Sequence, residues 1–74
     1  MLREKYALSD RECEIIALIA MGLTSEQISE RLFLSKFTVD THRKNIGRKT
    51  GASNPALIIK FAFENNITGE HLNS

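Results

Sequence analysis

Seventy-four residues, 42% hydrophobic and 26% charged, make one small domain with a net charge of +1. A chain this short buries only about 60% of its unfolded surface, which disfavours a deep cleft that encloses a substrate, and its apolar content is too high for disorder. The charge is unevenly placed: residues 1–30 carry −3, residues 31–49 carry +5 and residues 50–74 carry −1.

In chain order, the first start signal is Ser9-Asp10-Arg11-Glu12, an S-x-x-E pattern in which hydroxyl and carboxylate each satisfy the other's orphan backbone donor. It predicts a helix over about 10–21, buried through Ile15, Ile16, Ile19 and Ala20 and stopped by Gly22. Thr24-Ser25-Glu26-Gln27 repeats the device and opens a second helix over 25–32, with Ile28 and Leu32 on one side and Leu34-Ser35 as the corner after it. Ser35 caps a third helix over 36–50, with Gly51 just past its end. Asn54 followed by Pro55 starts a fourth helix over about 55–65, because proline's missing N–H costs nothing in the first turn. No strand-like alternation persists, so the expected class is all-α, a single domain over 1–74 with an N-terminal arm (1–7) and a C-terminal tail (67–74).

The third helix has two stripes. Val39, His42, Ile46 and Thr50 recur at spacings of three and four and point inward, whereas Phe37, Thr41, Lys44 and Arg48 share the opposite, outward face. A short helix, a tight turn and a second helix with a basic outer face is the arrangement by which proteins place one helix in a DNA groove. The polarised charge agrees with a polyanion as partner. Arg43 and Arg48 flank the outward stripe as phosphate contacts, as do Lys36 and Thr38 near the helix start, and Thr24 and Ser25 are placed to clamp phosphate at the start of the second helix. Phe37 either touches a thymine methyl or lies over the turn, and the preference of aromatic rings for burial favours the turn. His42 reads as a partly buried, hydrogen-bonded histidine.

The fourth helix is apolar around most of its circumference. Ile58, Ile59 and Ala62 are expected to close the core over the third helix, leaving Leu57 and Phe61 toward another face as a dimer contact. The competing cover for that face is the N-terminal arm, through Leu2, Tyr6 or Leu8.

Catalysis finds little support. Cys13, His42 and His71 do not supply the four closely spaced ligands of a zinc site, and no paired carboxylates or glycine-rich phosphate loop accompany a Cys-His pair. A non-enzymatic protein without metal or cofactor is expected. The longest apolar run, 15–21, is far shorter than the roughly 20 residues of a membrane span, a lone cysteine forms no internal disulfide, and no leader-like segment opens the chain. A cytoplasmic location with no membrane partner is the expectation.

Leu8-Ser9-Asp10-Arg11-Glu12, Glu14-Ile15-Ile16, Gly22, Ile28, Leu32, Leu34-Ser35, Thr38-Val39, His42, Ile46 and Lys49-x-Gly51 together resemble the LuxR/FixJ/GerE family of bacterial helix-turn-helix transcription regulators, over about Leu8 to Ile67. The resemblance implies a four-helix DNA-binding domain whose third helix enters the major groove, with Asp40, Thr41 and Lys44 reaching base edges. It further implies double-stranded DNA, a second copy of the chain and RNA polymerase as partners, and a fourth helix that often dimerises. Such domains are commonly the response-regulator output end of a two-part protein; a sensor or receiver domain is absent here, so the chain is either a stand-alone regulator or a detached output domain.

Four positions depart from the pattern. Asp40 stands where a lysine or another polar residue is usual and can accept from cytosine N4; Ser29 replaces alanine and can bond back to the Ser25 carbonyl. Thr50 replaces leucine, and Gly47 inside the third helix costs roughly 1 kcal/mol relative to alanine, which implies close approach by a neighbouring element. Competing readings are a protein-interaction module on the same scaffold and a sigma-factor-like promoter-reading domain.

Overall fold

The computed structural model describes residues 5–67. Leu2, His71 and nearly all of the expected C-terminal tail lie outside them. Four principal helices follow in order: α1 (Asp10–Ala20), α2 (Ser25–Leu32), α3 (Lys36–Thr50) and α4 (Pro55–Glu64), with no strand among the described residues. Each start carries the cap its sequence announces. Ser9 and Glu12 form a reciprocal capping box, as do Thr24 and Gln27, while Ser35 accepts from the Thr38 N–H and Asn54 from the Leu57 N–H.

The stops are equally local. Gly22 and Gly51 adopt φ of 94° and 81°, the left-handed region that ends a helix. Phe33 ends α2 at φ 56° and ψ 42° without being glycine, and the Leu34 N–H then closes back on the Ser29 carbonyl at 2.9 Å. This left-handed residue makes the tight turn between α2 and α3.

α1 contacts all three other helices, and α4 packs chiefly against it. That position explains why burial on α1 is wider than an amphipathic stripe: Ile15, Ile16, Ala17 and Leu18 are all fully enclosed, while Ala20 is only half-buried. The expectation that α4 closes the core over the third helix is corrected accordingly. The principal neighbour of α4 is α1; Ile58 and Ala62 are buried, and Ile59 is half-buried.

Phe61 also departs from expectation. Only 7% exposed, it joins the core, and its ring meets Tyr6 edge-on with centroids 5.2 Å apart. The segment before α1, not a second copy, therefore supplies the aromatic cover. Leu57 stays exposed at the surface.

A long-range ion pair ties α1 to α3. The Lys49 ammonium donates to Glu12 Oε1 at 2.7 Å and to the Ala7 carbonyl at 2.9 Å, and Oε1 also accepts the Ser9 N–H at 2.8 Å. Burial pushes the Glu12 carboxyl up, but the Lys49 ammonium and the Ser9 donors together hold it below the usual carboxylate range. Gly47 meets the expected close neighbour: a Cβ there would stand 3.3 Å from Ser53 Cα. Thr50 turns its hydroxyl to local use, donating to the Ile46 carbonyl at 2.8 Å and accepting the Ala52 N–H at 3.1 Å.

Candidate nucleic-acid interface

α3 is anchored from behind by Val39 and Ile46, both fully buried. Residues 180° away on the helical wheel must then face outward, and Phe37, Thr41, Lys44 and Arg48 are all exposed. His42 is half-buried at the edge of the inner stripe, and no hydrogen bond joins its ring to another described residue, so the expected bonded histidine is half met.

The outward stripe has a defined chemistry. The Thr41 hydroxyl donates to the Phe37 carbonyl at 3.0 Å, which satisfies it within the helix. Phe37 is 69% exposed and does not lie buried over the turn as its aromatic character predicts. The turn itself is built by Phe33 in the left-handed conformation and by the Leu34 N–H closing on the Ser29 carbonyl, so Phe37 is not needed there. Asp40 sits 3.6 Å from the Lys36 ammonium, so its carboxylate faces a partner as a compensated charge and not as an isolated repulsive one.

The flanking cations are held differently. The Arg43 guanidinium donates to Ser25 Oγ at 2.6 Å, joining the start of α2 to the middle of α3. Ser25 is buried and its hydroxyl is engaged inside the protein; a phosphate contact from this residue is left to its backbone N–H. Thr24 stays exposed, its hydroxyl accepting from Gln27 N at 3.2 Å, and Thr38 accepts from the Ser35 hydroxyl at 2.9 Å. Ser29 bonds to the Glu26 carbonyl at 2.6 Å, three residues back, in place of the Ser25 carbonyl.

Arg43, Lys44 and Arg48 share the lining of an open groove with Gly47, Ser53 and Ile58. Ser53 did not stand out in the sequence, although Gly47 signalled that something approaches there. Lys49, equally basic on paper, points to Glu12 and takes no part in this face. The outward face of α3 is polar and cationic, with an aromatic ring at one end, a chemistry suited to meeting a groove of a polyanion.

Comparison with known proteins agrees with that geometry. Residues 6–62 match the family described as bacterial regulatory proteins, luxR family. The chain is 35% identical to the transcriptional regulatory protein MctR of Rhizobium johnstonii over 63 residues, 85% of this chain and 29% of that protein. It is 37% identical to the oxygen regulatory protein NreC of Staphylococcus aureus strain JH9 over 60 residues, 81% of this chain and 28% of that protein. The chain thus spans less than a third of the length of these relatives, and no solved structure matches it significantly. With a helix-turn-helix at its centre and a basic outer helix face, the chain belongs to the luxR family of bacterial regulatory proteins, whose domain binds DNA in the regulation of transcription.

Proposed function

We propose that this domain reads a specific double-stranded DNA sequence by laying α3 in the major groove. The observation that carries the reading is the two-sidedness of α3: Val39 and Ile46 are sealed in the core while Phe37, Thr41, Lys44 and Arg48 stand in solvent directly opposite. Lys44 donates to guanine O6 or N7, Thr41 and Asp40 contact neighbouring base edges, and Arg43, Arg48, Lys36, Thr38, Thr24 and the Ser25 N–H hold phosphates. Enrichment from a pooled random duplex library at low salt tests this. A recurrent motif supports the reading; retention of DNA with no motif, or no retention, defeats it.

Pairing of two copies through α4 is part of the same proposal, now resting on Leu57 and Phe63, which stay exposed with Ala56, Lys60 and Glu64 on one side of the helix. Two α3 helices then lie about one DNA turn apart, roughly 34 Å, on a two-fold-related site. The match to under a third of MctR and of NreC supports reading the domain as the DNA-binding part of a longer regulator. A cytoplasmic location and RNA polymerase as a partner belong to the same proposal. No helix among the described residues is long and apolar enough to cross a membrane.

A further inference from the structure

We propose that Phe37 and Thr41 form an apolar reading strip for thymine C5-methyl groups, placed beside the guanine-directed Lys44. This rests on α3 occupying the major groove and specifies what it reads there. Three observations carry it. Phe37 is 69% exposed on the same face as Lys44, so its ring is presented to whatever Lys44 meets. Thr41, one turn further on, has spent its hydroxyl proton on the Phe37 carbonyl at 3.0 Å, which favours apolar contact through its methyl over donation to a base. Asp40, the adjacent candidate for a polar base contact, has its carboxylate 3.6 Å from Lys36.

The major groove offers one apolar feature per base pair at most, and it is the thymine methyl. A solvent-exposed phenyl ring on a recognition surface gains by burial there and gains nothing over cytosine, whose C5 carries hydrogen and whose N4 amine requires an acceptor. Its place at the start of α3, with Lys44 two turns onward, puts the thymine contact at the opposite end of the contacted base steps from the guanine contact.

The test uses the duplex most enriched by the intact chain from a random pool, resynthesised with deoxyuridine replacing thymine at one position at a time. Deoxyuridine keeps the pairing and removes only the methyl. Binding of the wild type is expected to fall about fourfold at one or two positions, the factor matching one buried methyl group. Phe37→Ala is expected to lose that discrimination at the outer position and Thr41→Ser at the inner one, both keeping the wild-type melting temperature because neither side chain is in the core. Phe37→Leu is expected to retain part of it. Equal affinity for thymine and deoxyuridine at every position, or unchanged discrimination in both variants, overturns the proposal while leaving the groove-binding reading intact. Failure to enrich any duplex overturns both.

Discussion

Removing the Lys49 ammonium by Lys49→Met strands a carboxylate that is 3% exposed. Glu12 then keeps the Ser9 N–H at 2.8 Å but loses its charge partner at 2.7 Å, and the Ala7 carbonyl loses its donor at 2.9 Å. Breaking a buried pair from one side costs about 3–5 kcal/mol; because Lys49 is itself a quarter exposed and water reaches the gap, the lower end applies, about 3 kcal/mol. For a domain of this size that lowers Tm by on the order of 15 °C. Glu12→Gln keeps an acceptor for Ser9 and removes the charge, so its cost is smaller, about 1–2 kcal/mol, and the double variant is less destabilised than the sum of the singles.

The pH dependence has a fixed sign. Glu12's carboxyl is depressed in the folded protein, so its contribution is present above the ordinary carboxylate range and is lost as pH falls through the depressed value. In Lys49→Met burial acts without the ammonium, the carboxyl rises, and acid relieves the variant; the gap from wild type therefore narrows as pH falls. Urea denaturation of the four proteins of the cycle, at neutral and at acid pH, measures both effects. A Lys49→Met protein within 0.5 kcal/mol of wild type at neutral pH, or strictly additive singles, refutes the reasoning.

Phe33 is 94% exposed at a positive φ, so Phe33→Asn relieves backbone strain with almost no apolar burial to lose and raises stability by about 0.5–1 kcal/mol in thermal denaturation. Gly47→Val forces a branched side chain against the Ser53 backbone and costs about 1–3 kcal/mol by the same measure. On DNA, Lys44→Ala relaxes base preference at one position at a cost of about 1–3 kcal/mol, whereas Arg48→Ala weakens all sequences alike and flattens the salt dependence by about 0.9 in slope; titrations at several salt concentrations separate them. Leu57→Glu yields a folded monomer in sedimentation with weakened binding to a two-fold site, while Phe61→Glu, aimed into the core, unfolds the domain.

Relationships three or four residues apart were the legible part of this chain. The boxes of Ser9 with Glu12 and Thr24 with Gln27, the two faces of α3 and the proline start of α4 follow from helix geometry, which is the same in every protein. Contacts set by how helices cross were not legible. Glu12 and Lys49 are 37 residues apart, Arg43 and Ser25 are 18 apart, and nothing in either local stretch announces its partner. Phe61 shows the same limit: a wheel identifies an apolar arc, but whether Tyr6 or a second molecule covers it depends on the path of the chain before α1. Gly47 is the intermediate case, since a costly glycine signals a close neighbour without saying that it is Ser53.

With no Cβ on Gly47, the backbone of Ser53 passes directly against α3 in the connection that leads into α4, which ties the start of α4 closely to the reading helix. In a pair of domains joined through α4, that close approach helps set the spacing of the two reading helices. Such an assembly tolerates little change in the phasing of its two half-sites: one inserted base pair twists them by about 35°, a mismatch that falls on the DNA to absorb.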